Sequence, residues 1–255
     1  MTNSAELLFG LDTFGDMNNK LDGTPETAGQ VIRNVVEQAV LADELGLHAF
    51  NIGEHHRDDF AVSAPDTVLA GIATRTSNIV LGTGVTVLSS EDPVRVYQRF
   101  ATIDALSNGR AEITAGRGSF TESFPLFGYE LSDYHVLFEE KLELLTKLLD
   151  EGPVTWSGRT RASLTNQEVY PKTEKGRIGL RVGVGGSPLR IDASVAGIVS
   201  QPSVARDALR QIDRDRERQS HEAAGPAVDL RIDAHHLAAQ VEQRPARVPD
   251  RKSVV

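Results

Sequence analysis

"NIVLGTGVTVLSSEDPVRVYQRFATIDALSNGRAEITAGRG", Asn78 to Gly118, reads as strand, helix and strand in one unbroken unit. The first strand spans "NIVLGTGVTVLSS". Asp92-Pro93 starts the helix, because aspartate caps free amides and proline fits the first helical position. Asn108-Gly109 stops it, since both residues tolerate the left-handed backbone that ends helices. "RAEITAGRG" follows as the second strand. Strands joined through helices in this way form a parallel sheet.

The same alternation runs outward in both directions. "ELLFGLDTF" (6–14) reads as strand one, and Thr24 with Pro25 as the cap and first residue of a helix ending at Gly46. "HAFNIGE" (48–54) is strand two, and Pro65 opens a helix through Thr76. Downstream, a helix spans Tyr134 to Glu151 and closes at Gly152-Pro153. Residues 152–178 interrupt the rhythm as a surface hairpin, and "GLRVGVGGSP" (179–188) is strand five. The strands read as apolar on both faces, as parallel strands covered by helices should be. The fold class is therefore α/β, either a barrel or an open doubly wound sheet. Both place chemistry beyond the carboxyl ends of the strands.

The chain has 255 residues, no cysteine and a formal charge of −9. That length fits one α/β barrel of about 250 residues. Without cysteine there are no disulfides and no thiolate chemistry, which suits a cytoplasmic enzyme. Net negative charge argues against nucleic acid as a partner. No apolar run is long enough for a membrane span, and the amino terminus lacks the pattern of a signal peptide.

Four motifs lie at strand ends. "GEHH" releases Glu54, His55 and His56 after strand two. Adjacent side chains diverge, so the two histidines do not easily share a metal. No metal site is expected, and a proton-transferring histidine or a structural one remains. "GTGVTV" places glycines where a flat ligand presses on backbone, or where packing is tight. "AGRGSF" sets Arg117 between glycines, where it pairs with a phosphate or with a nearby carboxylate. "VGVGGSP" is either a phosphate cradle or a plain turn.

In combination, "NIGEHHRDDF", the stretch from Gly82 through Asp92-Pro93 to Gly109-Arg110, "SFPLFGY" and "RVGVGGSP" resemble the bacterial luciferase-like flavin monooxygenase family. The resemblance runs from Leu7 to Pro188 and implies a TIM-barrel-like (β/α)8 fold. It implies reduced FMN as cofactor, or a deazaflavin in some branches, and oxygen as oxidant. His55 matches the family's catalytic histidine and His56 its neighbour. Gly84-Val85 matches the bulge that supports the flavin ring, where relatives can carry a non-proline cis peptide. Arg117 matches an arginine near the flavin phosphate. Gly116 matches the position held by cysteine in luciferases, so light emission is not expected. Gly186 and Ser187 match the phosphate-binding turn. The resemblance also implies a small-molecule substrate, a flavin reductase as supplier and a homodimer.

The chain divides into a barrel portion, 1–188, and a tail, 189–255. The tail is too short for three further βα units of about 30 residues each. It has no aromatic residue and is rich in arginine, with a dense charge run at "RQIDRDRERQSHEAAG". Such composition is solvated or disordered. The expectation is an incomplete barrel of five βα units, with a tail that is not the family's own. Three readings of function follow: a flavin-dependent monooxygenase, deazaflavin-dependent hydride transfer, or a non-catalytic truncated remnant that serves as an interaction protein.

Overall fold

The structure, a computed structural model, describes residues 8–118 and 120–183. The assignments to Gly186, Ser187 and the tail lie outside the described residues. No helix among the described residues is long and apolar enough to cross a membrane.

Strand β1 (Gly10–Thr13) pairs in parallel with β2 (Ala49–Ile52), which pairs in parallel with β3 (Val80–Thr83). After β3 the chain breaks and resumes as β4 (Thr86–Val87), parallel to β5 (Glu112–Gly116). The Leu81 amide donates to the Arg110 carbonyl at 2.9 Å, joining β3 to the start of β5. The antiparallel hairpin of β6 (Val154–Trp156) and β7 (Leu164–Gln167) intervenes, and β8 (Gly179–Val182) then pairs in parallel with β5. Each parallel strand thus lies beside its predecessor. A doubly wound sheet reverses its order at a switch point; among the described residues the order does not reverse, which is the strand order of a barrel rather than of a doubly wound sheet.

Helices α1 (Ala28–Glu44), α2 (Pro65–Ala73), α3 (Pro93–Ser107), the short α4 (Ser123–Phe127) and α5 (Tyr134–Leu149) connect the strands. Asp92 caps α3 as its sequence predicts, accepting from the amides of Val94 and Arg95, and Asn108 ends it in the left-handed region. The start of α1 differs from expectation. Asp22 Oδ1 accepts from both the amide and the hydroxyl of Thr24, and Pro25 bridges back to Asn19. That local turn takes Thr24, and Thr27 caps the helix instead. Helix α2 also ends before Thr76, whose hydroxyl turns back to the Ile72 carbonyl at 3.0 Å.

The strands are not apolar on both faces. One face, with Phe50, Ile52, Leu81, Ile113, Ala115 and Leu180, belongs to the hydrophobic core shared with α2, α3 and α5. The other face is largely polar or lacks side chains, with Ala49 and Val80 as apolar members at the amino ends of β2 and β3. Along it, Asn51 donates to Asp12 at 2.6 Å, and Arg181 pairs with Glu112 at 2.9 Å. Gly82 lies opposite Asn51 in the register, and a Cβ there would collide with the Asn51 side-chain oxygen. The hairpin is half core: Val154 and Trp156 are buried while Thr155 between them is exposed.

Candidate active site

The parallel strands all deliver their carboxyl ends to one side. Phe14 follows β1, Glu54-His55-His56 follows β2, Val85 and the Leu88–Ser90 turn flank β4, and Arg117 follows β5. The three motifs of the sequence that fall within the described residues, at Glu54–His56, Gly82–Val87 and Gly116–Gly118, lie at this end.

Two loops hold the histidines. The amide of Ala61 donates to the Gly15 carbonyl at 2.7 Å, the amide of Met17 to Asp59 at 2.9 Å, and the amide of His55 to Val62 at 3.2 Å. This pairing sets Phe14 and Phe60 around His55. The imidazole stacks on Phe60 with centroids 4.4 Å apart, and meets Phe14 at 4.9 Å and Phe120 at 5.0 Å. Gly53 is required there, because a Cβ would run into the Phe14 ring. Burial in this aromatic set pushes the His55 imidazole below its ordinary range, against the pull of Glu122, Asp59 and Glu54. A neutral imidazole at neutral pH is suited to accept a proton.

His56 is held differently. Its Nε2 lies 3.0 Å from Glu54 Oε1, and both side chains are at least nine-tenths buried. The Glu54 hydrogen bond raises the His56 pKa despite burial, with Glu122 and Glu91 adding to it. The other Glu54 oxygen, Oε2, accepts from the Val87 amide at 3.0 Å. One buried carboxylate therefore ties the histidine loop to β4. From sequence alone Glu54 has no role of its own. The signal was its place between a buried strand and two histidines.

The Gly84–Val85 peptide is cis. Gly84 leaves its surface open: a Cβ there would stand 3.6 Å from Asn51 and 4.0 Å from Asp12, in ordinary contact. Gly116 is the opposite case. A Cβ at 116 would lie 2.9 Å from the Val85 Cβ and closer still to a Val85 methyl, and a Cβ at Gly183 would meet another Val85 methyl at 2.8 Å. Val85 thus fills the volume that a side chain at 116 would occupy. Gly116→Ala should destabilise the fold by about 1–3 kcal/mol through overpacking. Adding Val85→Ala should recover much of that loss, because residues in contact couple. Thermal unfolding of the single and double variants checks this, and additive losses would show that the two positions do not compete.

The Arg117 guanidinium lies over the rings of Tyr134 and Phe138 on α5, at 5.9 and 5.5 Å. Nearby, the buried Lys141 donates to the Ser89 carbonyl at 2.6 Å and stands 4.1 Å from the Tyr129 ring. Burial brings its ammonium down to about 8. Lys141 joins α5 to the turn after β4 and was not singled out from sequence. Among the described residues, no three histidine, aspartate or glutamate side chains group to hold a metal ion.

A flavin suits this set of residues. Gly84 offers open backbone without a Cβ after β3, and Arg117 supplies a cation at the end of the adjoining strand β5.

Comparison with known proteins agrees. The family described as luciferase-like monooxygenase matches residues 17–239, a range that runs past Pro188, where the quoted motifs end. The N-acetyl-S-alkylcysteine monooxygenase of Bacillus subtilis (strain 168) is 34% identical over 143 residues, 54% of this chain and 43% of its own. An F420-dependent glucose-6-phosphate dehydrogenase from Amycolatopsis mediterranei (strain U-32) is 29% identical over 56% of this chain and 45% of its own. The alignments thus span less than half the length of these curated relatives. Among solved structures, monooxygenase RslO1 from Streptomyces bottropensis superposes with a TM-score of 0.63 at 25% identity, covering 73% of this chain and 56% of its own. The oxygenating constituent of 3,6-diketocamphane monooxygenase from Pseudomonas putida, in complex with FMN, shares the fold with a TM-score of 0.62 at 17% identity, over 74% of this chain and 55% of its own. With the strand order, the site motifs and the family match in agreement, the chain belongs to the luciferase-like monooxygenase family.

Proposed function

We propose that this chain is a flavin-dependent monooxygenase that uses reduced FMN and oxygen on a small organic substrate. The observation that carries the reading is one convergence. The histidine pair, the open backbone at Gly84 and Arg117 come from three separate loops at the carboxyl ends of adjacent parallel strands. Reduced FMN, when bound, supplies the electron pair that activates oxygen, one atom entering the substrate and the other leaving as water.

The chain's own residues do the rest. The open backbone at Gly84 presents a flat surface to a ring. Arg117 pairs with the phosphate, since a guanidinium fork matches its oxygens. His55 takes up a proton and returns it, and its phenylalanine neighbours keep water away from the exchange. His56, clamped by Glu54, holds the loop that carries His55. A flavin reductase supplies the reduced cofactor, and the working unit is a homodimer in the cytoplasm.

The F420-dependent relative supports a second reading, deazaflavin-dependent hydride transfer without oxygen. Side-by-side anaerobic titration with reduced FMN and reduced F420, followed by admission of oxygen, tests both. The monooxygenase reading expects tighter binding of FMN and product formation only with oxygen. Tighter binding of F420, with turnover that ignores oxygen, would move the assignment to hydride transfer. Binding of neither by folded protein would favour the non-catalytic reading.

A further inference from the structure

The two histidines share a loop but not an environment, and the difference originates in Glu54. We propose that Glu54 is the positioning residue of the histidine pair: it grips His56 through Oε1 and the Val87 amide through Oε2, so that the two imidazoles take different protonation roles.

Three observations carry this. First, the Glu54 carboxylate is buried and both its oxygens are used, at 3.0 Å each, on groups from different elements. A buried carboxylate with a fixed donor on each oxygen cannot swing to the neighbouring residue. Second, the assignment of atoms is specific. Glu54 meets Nε2 of His56, so the ring must present a proton there, whatever the state of Nδ1. Third, the other charged groups around the pair do not duplicate Glu54. Glu122 at the start of α4 and Glu91 before α3 act on His56 at longer range, and Arg57, Asp59 and Glu122 act on His55. Glu91 is itself paired with Arg99 at 2.7 Å, and Arg99 with Asp66 at 3.0 Å. Those two carboxylates are engaged by the arginine behind the histidine loop. Among the described residues, the His55 ring is packed by phenylalanines and makes no hydrogen bond to the protein. Glu54 therefore favours the protonated form of His56, while His55, packed by phenylalanines, is left without such a partner.

The inference deepens the proton-transfer reading of this site and rests on it, but its test needs no flavin. Histidine nitrogen and carbon resonances of the full chain are followed by NMR against pH, with assignments from His55→Gln and His56→Gln. In the unmodified protein, His56 should titrate at higher pH than His55 and keep its Nε2 proton throughout. In Glu54→Gln, the His56 midpoint should shift to lower pH while His55 moves less. A His56 midpoint unmoved by Glu54→Gln, or a His56 ring with its neutral proton on Nδ1, would overturn the proposal. The tautomer is read in the unmodified chain, so the test stands even if Glu54→Gln does not fold. Failure of flavin binding would not alter either result, which keeps the two claims separate.

Discussion

His55→Ala lowers turnover with reduced FMN by about 100- to 10,000-fold, the range for a lost general acid–base group, and leaves affinity for reduced FMN nearly unchanged. The reasoning starts from burial. His55 sits among Phe14, Phe60 and Phe120, and that setting holds its imidazole below the ordinary range. It is therefore neutral at neutral pH and able to accept a proton. Turnover should fall as the pH drops and His55 becomes charged, and that acid limb should vanish in the variant. Alanine also removes a ring from an aromatic cluster. His55→Gln keeps most of the volume but cannot shuttle a proton, so it separates packing from chemistry. Steady-state rates and anaerobic titrations of both variants are the check. Normal turnover in His55→Gln would remove His55 from the mechanism.

Arg110→Leu has the largest expected effect on stability. Arg110 stands at the opposite end of the sheet from the histidines, just before β5. Its guanidinium and Nε donate five hydrogen bonds: to the carbonyls of Ser107, Ile79, Ala73 and Thr76, and to the Thr76 hydroxyl, at 2.6–3.1 Å. It closes the carboxyl end of α2 and joins it to the α3–β5 turn. Leucine would leave those carbonyls without their donor, and each unsatisfied buried group costs about 1–3 kcal/mol. The expected loss is above ~4 kcal/mol, in the exceptional range for one substitution. Lysine cannot replace the fork and should rescue only part of it. Thermal and urea unfolding of both variants measures this. A loss near 1 kcal/mol would mean that water takes over the carbonyls.

The sequence disclosed the rhythm of elements because its punctuation is local. Asp92-Pro93 and Asn108-Gly109 bound α3 through their own backbone chemistry, and both act as read. Thr24-Pro25 carries the same signature, but Asp22 two residues earlier competes for Thr24, and the helix waits for Thr27. Barrel and doubly wound sheet could not be told apart from local pattern. The distinction lies in strand order, which depends on pairing between residues far apart in the chain. The polar inner face was misread for a related reason. Asp12, Asn51, Glu112 and Arg181 look like interruptions of apolar runs until the register sets Asp12 opposite Asn51 and brings Arg181 diagonally across to Glu112. At the site, residue types and positions were visible, but partners were not. That Val85 fills the volume above Gly116, and that Glu54 chooses His56 over His55, depends on packing across strands.

The central proposal is a reduced-FMN site at the carboxyl ends of these strands with Arg117 as its phosphate contact. The measurement that tests it most directly is anaerobic calorimetric titration of reduced FMN into the full chain and into Arg117→Ala. The account predicts saturable binding, weakened by about ten- to a hundredfold in Arg117→Ala, as expected for loss of a charge-assisted hydrogen bond. No saturable binding by folded protein, or equal affinity in both proteins, would contradict it.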